Sequence, residues 1–376
     1  MAGTHGRDPL SKETAMPHFD AQFRALLSPN LAAAEIEQIP DLTTERARVL
    51  IDRIDRVRLF GHAYALLTNL TYGAYGPDDV LDFAREHDLA GICIHVLDGE
   101  ERSLSRMNDD QLRAFAARAH GYGLALHLEI STTEREPVDE AVRIAGILGV
   151  QHIRVYSRYE GQLSQVLSRI EDDLRRLGDL ADTHGLHFSF EQHEELRSGE
   201  IARLLRTVGH PRLHVMFDFG NMINAYERPM DALAQLAPHI LQAHLKGVHV
   251  LPEGDGFGHR GVLQGSPEDD LPGARMLFDL LMLGDDEPQV ITFALEQENL
   301  YYAPAFRHHS EGDDPFIPYR ELSTTDLPEG WTLRDLLAAE PGWAVDQVVH
   351  VRGQLARMRE LAAARLAAAD TLAGAR

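Results

Sequence analysis

Short apolar segments alternate with longer amphipathic segments between residues 63 and 296, and this alternation predicts an α/β protein of the (β/α)8 TIM-barrel class. Three observations support that class. The apolar segments number eight, and a span of about 230 residues suits such a barrel. Several segments end in a polar residue that strand alternation places on the inner face. The glycine-rich turn of a doubly wound nucleotide-binding sheet does not follow the first segment.

Residues 1–60 are predicted to form a helical extension, because Asp41–Glu45 has the residue types of a helix N-cap and a helical pattern continues to about Arg58. Residues 61–376 are predicted to form one catalytic barrel domain. Its predicted strands are Ala63–Asn69, Ala90–Val96, Leu124–Ile130, His152–Ser157, His187–Glu191, Leu213–Asp218, Ile240–Lys246 and Val290–Glu296. Its predicted helices are Asp78–Glu86, Asp109–His120, Pro137–Leu148, Leu163–His184, Ser198–Val208, Pro229–Leu236 and Asp270–Leu283.

Two further segments are predicted to be additions to the barrel. Residues 301–341 are rich in proline, aspartate and aromatic residues, which is typical of a long loop insertion that closes over one face after strand eight. The polar side chains of this insertion, Arg307 among them, are predicted to be solvated. Residues 344–370 contain repeated Ala, Leu and Arg, which predicts a C-terminal helix packed on the barrel.

Composition excludes several classes of protein. The chain has 376 residues, of which 44% are apolar and 25% charged, as in ordinary globular proteins. A single cysteine, Cys93, excludes an internal disulfide and a cysteine-based zinc cage. The 36 basic and 59 acidic residues give a net charge of −23, which repels nucleic-acid phosphates. No apolar run approaches the ~18–20 residues that span a bilayer, and residues 1–17 lack a signal-peptide core. We therefore expect a cytoplasmic protein with neither nucleic acid nor membrane as a partner.

Strand alternation places one metal-ligand type of side chain at the inner end of each of four consecutive strands. These residues are Glu191, Asp218, His244 and Glu296. The carboxyl ends of barrel strands converge on the face that holds the active site. Three carboxylates and an imidazole favour a divalent cation such as Mn²⁺, Mg²⁺ or Co²⁺. Each residue alone could be a helix cap or a hydrogen-bonded core residue, but four coincidences favour a metal site.

The same part of the chain resembles the sugar isomerase/epimerase group of xylose-isomerase-like TIM barrels over about residues 60–300. The resemblance lies in the order and spacing of Phe190–Glu194, Phe217–Asn221, Ala243–Lys246 and Ala294–Glu296. It implies a divalent cation held by the four ligands named above. It also implies that Arg260, in the loop Gly258–Gly265, contacts substrate hydroxyls. The chain departs from the group's pattern at Asn221, where some members have His, and at Gly247 and Gln264, where Asp and Gly are usual.

The resemblance predicts a divalent-metal-dependent isomerase or epimerase that acts on a small carbohydrate, a sugar or keto-sugar, through a metal-stabilised enediolate. Glu191 and Glu296 are the predicted base and acid. Lys246 is predicted either to neutralise the enediolate or to form an ion pair with Asp218 or another carboxylate. His95, Arg154, His193 and Asn221 are candidates for substrate binding, although the first three could instead belong to an internal polar network. A homo-oligomer is expected from the resemblance alone.

Three other functions stay open at this stage. A decarboxylase or lyase of an oxo-sugar acid or oxo-glycoside would use the same metal and the same enediolate chemistry. A member of the related endonuclease IV branch would need additional His and carboxylate ligands and a basic face for DNA, which the charge of −23 disfavours. A non-catalytic sugar-binding barrel would be expected to lack at least one of the four ligands.

Overall fold

A closed barrel of eight parallel strands lies at the centre of the protein, in a computed structural model that describes residues 17–28, 36–319 and 327–374. The barrel strands are β1 Leu59–His62, β2 Gly91–His95, β3 Ala125–Glu129, β4 His152–Val155, β6 His187–Glu191, β7 Leu213–Asp218, β8 Ile240–Leu245 and β11 Thr292–Leu295. Each pairs in parallel with its neighbours, and β11 closes the ring against β1. The predicted barrel fold is thereby confirmed.

Helices cross over between successive strands, as parallel pairing requires. They are Leu67–Tyr72, Pro77–Glu86, Asp109–Gly121, Arg135–Leu148, Leu163–His184, Ser198–Val208, Pro229–Leu236 and Gly273–Leu281. Three of these helices end at a glycine in the left-handed region, namely Gly149, Gly185 and Gly209 at φ 71°, 69° and 65°. A glycine there lets the chain leave the helix and enter the next strand without a Cβ penalty.

The apolar residues on the outer face of the strands share one continuous core with the helices. Phe188, Phe190 and Phe217 are buried together with Ile170 and Leu205 of the surrounding helices. Because alternate strand residues point to opposite faces, burying these side chains outside the barrel directs the neighbouring polar residues to its interior. The packing of the core therefore decides which polar side chains meet at the barrel's centre.

The predicted first strand, Ala63–Asn69, is wrong. The first strand is Leu59–His62, and residues 63–72 form a 3₁₀ turn followed by the helix Leu67–Tyr72. The distant carboxylate of Glu340 explains the helix start, because its two oxygens accept the backbone N–H groups of Thr68 at 2.7 Å and Asn69 at 2.9 Å. Such a carboxylate satisfies otherwise unpaired donors at a helix N-terminus.

Additional strands cover the carboxyl end of the barrel. The antiparallel hairpin β9 Gly247–Glu253 and β10 Gly256–Val262 follows β8, the seventh barrel strand in chain order. The insertion adds β12 Tyr302–Ala303 to that hairpin and pairs β13 Phe316–Ile317 with β5 Gly161–Gln162. The insertion is therefore fixed at two places over this face, and its residues 320–326 lie outside the described part of the chain.

Arg307 corrects the expectation that the polar residues of the insertion are solvated. Its guanidinium is 2% exposed, donates to both carboxylate oxygens of Glu200 at 2.9 and 3.1 Å and also binds Glu311 at 2.8 Å. A further bond at 3.3 Å reaches the carbonyl oxygen of Glu195, in the loop after β6. A buried, bidentate Arg–carboxylate pair has a fixed geometry, so Arg307 ties the insertion to the barrel.

Helices from both ends of the chain pack beside the barrel. The helix Leu333–Gly374 includes the predicted residues 344–370 and begins eleven residues before them. It packs against the helix Thr44–Arg56, whose N-cap Thr43 accepts the N–H of Arg46 as the capping pattern predicts. The remaining predicted extension includes the helix Pro17–Leu27, while residues 1–16 and 29–35 lie outside the described chain. In the described ranges, no helix has the length and apolarity to cross a membrane.

Candidate metal centre

The four predicted ligands come together at the carboxyl ends of four neighbouring strands, β6, β7, β8 and β11. Glu191 and Glu296 are 2% exposed, and Asp218 and His244 are fully buried. His244 Nδ1 lies 3.3 Å from Glu191 Oε1 and 3.3 Å from Glu296 Oε1. Ligand atoms of Glu191, Asp218 and His244 all lie within 4.8 Å of one another. The strand parity argued above therefore puts the four side chains around one point.

Each of these four side chains has one polar atom with no hydrogen-bond partner among the described residues. The atoms are Glu191 Oε2, Asp218 Oδ2, His244 Nδ1 and Glu296 Oε2. Buried polar atoms normally find partners, because an unpaired one costs about 1–3 kcal/mol. The three carboxylate oxygens have ion-pair contacts with Arg154 or Lys246, but none of the four atoms takes part in a hydrogen bond among the described residues. Carboxylate oxygens with an imidazole nitrogen match the donor set of a divalent cation.

The backbone after β7 fixes the orientation of the Asp218 carboxylate. Its Oδ1 accepts the backbone N–H groups of Gly220 at 2.7 Å and Asn221 at 2.8 Å. This turn fixes the carboxylate and leaves Oδ2 directed away from the backbone. A Cβ at position 220 would lie 2.8 Å from Val248 Cγ1, which explains the glycine in the Asp-x-Gly-Asn motif.

Glu129 on β3 decides which nitrogen of His244 is available. The strands β3 and β8 are four places apart in the eight-strand ring, so their side chains meet across the barrel interior. His244 Nε2 donates to Glu129 Oε1 at 3.1 Å. Because a neutral imidazole has one proton, this bond leaves Nδ1 as the lone-pair nitrogen that a metal requires.

Two more donors hold Glu129 in place. His62 Nε2 donates to Glu129 Oε2 at 3.1 Å, and its Nδ1 accepts the backbone N–H of Tyr64 at 3.0 Å. Arg154 Nη2 lies 2.6 Å from the same Glu129 oxygen. Ligand atoms of His62, Glu129 and His244 also lie within 4.8 Å of one another. Their facing atoms are N–H donors already paired with carboxylate oxygens, so we interpret them as hydrogen bonds that support the centre.

The electrostatics keep the two glutamates ionised. Burial favours the neutral acid, but the charges of His244, Lys246 and His62 lower the pKa of Glu296 to about 2. Burial likewise opposes ionisation of Glu191, and Arg154 outweighs it, so this pKa is also lowered. Burial lowers the pKa of His244, yet the surrounding carboxylates raise it well above its ordinary value. A divalent cation at Nδ1 would take the place of a proton there.

A cavity of about 350 Å³ opens directly onto this centre. Seven predicted site residues line it: Glu191, Glu296, Lys246, His193, Asn221, Arg154 and His95. Arg260 does not. It is exposed on β10, where it pairs across the hairpin with His249 and Tyr302. The contact between Arg260 and a substrate, which the resemblance implies, has no support in this geometry.

His95 and His193 differ in charge although both line the cavity. His95 Nδ1 accepts the N–H of Leu97 at 3.1 Å, so the proton of the neutral ring lies on Nε2, which has no hydrogen-bond partner among the described residues. Burial and the charge of Arg154 lower the pKa of His95 to about 3. Burial also opposes the charge of His193, but its bond to Glu195 and the nearby glutamates raise the pKa to about 9. At neutral pH, His95 is a neutral donor and His193 a cation.

Gly247 and Gln264, where the chain departs from the pattern of the family, lie against each other in the structure. A Cβ at Gly247 would lie 2.6 Å from the Cα of Gln264, so no aspartate fits at position 247. Gln264 accepts a bond from Gln347 at 2.9 Å, and Gln347 also donates to the carbonyl oxygen of Leu245 at 2.6 Å. These residues join the hairpin to the C-terminal helix instead of reaching the cavity.

Several residues of the site were not predicted from the sequence. His62 precedes the segment predicted as strand one, and the sequence patterns give Glu129 no role toward His244. Glu298, in the loop after β11, and Tyr301, at the start of the insertion, line the cavity. Glu298 has the inward parity of Glu296 two residues earlier, and that spacing is the signal that could have indicated it.

Comparison with known proteins agrees with this architecture. A family model described as xylose isomerase-like TIM barrel matches residues 81–277. The uncharacterized protein YihM of Escherichia coli (strain K12) is 43% identical over 319 residues, which cover 85% of this chain and 97% of YihM. The inosose dehydratase of Bacillus thuringiensis (strain Al Hakam) is 25% identical over 105 residues, 27% of this chain and 35% of that enzyme. The structure of the IOLI protein with a binding zinc atom has a TM-score of 0.51 at 14% identity and covers 65% of this chain and 90% of its own.

The chain therefore belongs to the xylose isomerase-like TIM-barrel family. This superfamily includes sugar-processing enzymes, such as the inosose dehydratase named above.

Proposed function

We propose that this protein is a divalent-metal-dependent isomerase or epimerase of a sugar or keto-sugar. One observation supports this function above all: four buried side chains of metal-ligand type, Glu191, Asp218, His244 and Glu296, lie together at the carboxyl ends of neighbouring strands, and Glu191 and Glu296 also line the cavity. Closely spaced buried ionisable groups of this kind are typical of functional sites.

The four residues would hold Mn²⁺, Mg²⁺ or Co²⁺, since oxygen-rich sites with one imidazole suit these ions. The similar IOLI fold binds zinc, so zinc belongs in any panel of candidate metals. A divalent cation supplies positive charge that stabilises an oxyanion beside the carbon from which a proton is removed.

We assign proton transfer to Glu191 and Glu296. Both carboxylates line the cavity, and their strands β6 and β11 approach it from two sides. One would remove the proton next to the carbonyl and the other would return it. His95 would donate its Nε2 proton in a hydrogen bond to a substrate oxygen, and Asn221, Arg154 and His193 would position the remaining hydroxyls.

The charge of the cavity favours a neutral sugar over a sugar acid or phosphate. Six carboxyl side chains line it: Asp98, Glu100, Glu191, Glu194, Glu296 and Glu298. The fixed cations are Arg154, Arg158 and Lys246, with protonated His193. Burial raises the pKa of Asp98 to about 8 and that of Glu298 to about 7, so both carboxyl groups are partly neutral at pH 7. With Asp218 at the metal centre, the remaining carboxylates nearly balance these cations and a bound divalent ion, so little excess positive charge is left for an anionic substrate.

Hydrogen–deuterium exchange followed by NMR tests this proposal. The Mn²⁺- or Mg²⁺-loaded protein is incubated in D₂O with a panel of ketoses, aldoses and oxo-sugar acids. We expect deuterium to enter at a carbon beside a carbonyl in a neutral sugar, with the carbon skeleton retained. Loss of CO₂ or of an aglycone, with deuterium in the shortened product, would instead establish a decarboxylase or lyase. Absence of exchange across the panel in metal-loaded protein would contradict an enzymatic role in sugar isomerisation.

Replacing Glu129 by glutamine should weaken metal binding about 10- to 100-fold while leaving all four ligands in place. The amide presents an N–H₂ group as well as an oxygen and cannot accept from His62, His244 and Arg154 together. Calorimetric titration with Mn²⁺ measures the effect. Gln111→Glu on the exposed helix Asp109–Gly121 is a charge-change control and should leave the affinity unchanged. Equal affinities of E129Q and wild type would refute the role of Glu129 in selecting the Nδ1 ligand.

A further inference from the structure

Lys246 places its ammonium beside two of the oxygen atoms proposed to bind metal. Nζ lies 3.0 Å from Asp218 Oδ2 and 3.3 Å from Glu296 Oε2. The side chain is 4% exposed, so water screens these contacts little. A buried ammonium and a divalent cation that share the same two carboxylates would compete for them.

A third carboxylate, Glu298, makes a different contact with this ammonium. Nζ donates a hydrogen bond to Glu298 Oε2 at 3.1 Å. Its contacts with Asp218 and Glu296 are ion pairs, and Asp218 Oδ2 and Glu296 Oε2 accept no hydrogen bond among the described residues. Of the three carboxylates within 3.3 Å of Nζ, Glu298 is the one that is not a proposed metal ligand.

We infer that Glu298 is a positioning residue that gives the Lys246 ammonium a partner other than the metal-ligand oxygens and so permits a divalent cation to bind. This inference rests on the proposed metal centre and adds a residue that neither the strand-end pattern nor the family comparison assigns. Glu298 is 10% exposed and follows β11 by three residues. It lines the cavity beside Lys246, so it can keep the ammonium when a cation occupies the other carboxylates.

Without the Glu298 carboxylate, Lys246 has Asp218 and Glu296 as its nearest anions. The ammonium would then turn its N–H groups to Oδ2 and Oε2, because a buried cation needs paired acceptors. Those are the oxygens that the metal needs. The loss of Glu298 should therefore weaken metal binding through Lys246, and removal of Lys246 should restore it.

A double-mutant cycle on the full chain tests this coupling. Mn²⁺ affinity is measured by calorimetric titration for wild type, E298Q, K246M and the double variant, and the melting temperature of each metal-free protein checks its fold. We expect E298Q to bind Mn²⁺ about tenfold more weakly or worse. K246M should bind at least as tightly as wild type, and the double variant should return to within about threefold of K246M. E298D retains the carboxylate and should bind more tightly than E298Q.

The outcomes separate this inference from the proposed function. If the two substitutions change the affinity additively, Glu298 acts only through its own charge and the inference is wrong. If the double variant stays as weak as E298Q, Glu298 is itself a metal ligand and the inference is also wrong. Wild-type protein that binds no Mn²⁺ would overturn the proposed metal centre and, with it, this inference.

Discussion

Replacing both Glu191 and Glu296 by glutamine is expected to abolish metal binding and deuterium exchange while the barrel remains folded. Structural zinc binding of roughly 10–16 kcal/mol, divided over four ligands, gives about 3 kcal/mol per ligand, which is roughly a hundredfold in affinity. The loss of two carboxylates should therefore lower the metal affinity by about four orders of magnitude. The two substitutions also remove the groups assigned to proton transfer, so restoring metal by excess concentration should not restore exchange.

The fold should survive because glutamine has the shape of glutamate and the neighbouring cations keep other partners. Arg154 retains Glu129 at 2.6 Å, and Lys246 retains Glu298 at 3.1 Å. Mn²⁺ titration, exchange in D₂O and circular dichroism measure the three properties. Glu100→Gln at the exposed mouth of the same cavity is the matched control and should bind Mn²⁺ like wild type. Full turnover in the double variant would refute the acid and base assignment.

Replacing Arg154 by methionine should lower the free energy of unfolding by about 3–5 kcal/mol, because it leaves buried carboxylates without their cation. Arg154 is 2% exposed, contacts Glu129 Oε2 at 2.6 Å and Glu191 Oε2 at 3.4 Å, and donates to the carbonyl oxygen of Ile130 at 3.3 Å. Methionine fills much of the volume but pairs with none of these groups. Urea unfolding monitored by circular dichroism measures the loss.

An exposed ion pair supplies the comparison. Arg113 contacts Asp110 at 2.8 Å, with 60% and 94% of the two side chains exposed. Arg113→Met should change stability by less than about 1 kcal/mol, because water screens such a pair. Arg154→Lys keeps the charge but not the planar donors, so its loss of stability should lie between those of R154M and R113M. If R154M were as stable as R113M, the buried network would contribute nothing to the fold.

The site was predictable from the sequence to the extent that it depends on strand alternation. Glu191, Asp218, His244 and Glu296 end apolar strands at the same parity, and burial of residues such as Phe190 and Phe217 leaves them one direction in which to point. That argument needs only the period of a strand. It does not extend to Arg260, whose substrate contact only the resemblance implies, because a hairpin beyond the barrel sets the orientation of Arg260 and the local pattern does not specify how that hairpin lies.

The conformation of residues 63–69 also depends on a contact that the local sequence does not specify. Residues 63–69 form an apolar run that a strand or a buried helix could contain. The run is helical because Glu340, about 270 residues later in the chain, accepts the N–H groups of Thr68 and Asn69. Local propensity is a weak preference, and a buried carboxylate at a helix start outweighs it.

The sequence by itself determined the order of strands and helices, the barrel class and the inward direction of the four strand-end ligands, since hydrophobic periodicity acts within each element. Only the tertiary structure decided the partners of those ligands. Closure of the barrel brings Glu129 on β3 against His244 on β8, and the loop after β11 places Glu298 against Lys246. These contacts join residues 115 and 52 positions apart, and no periodicity within one element relates side chains that meet only when the ring closes.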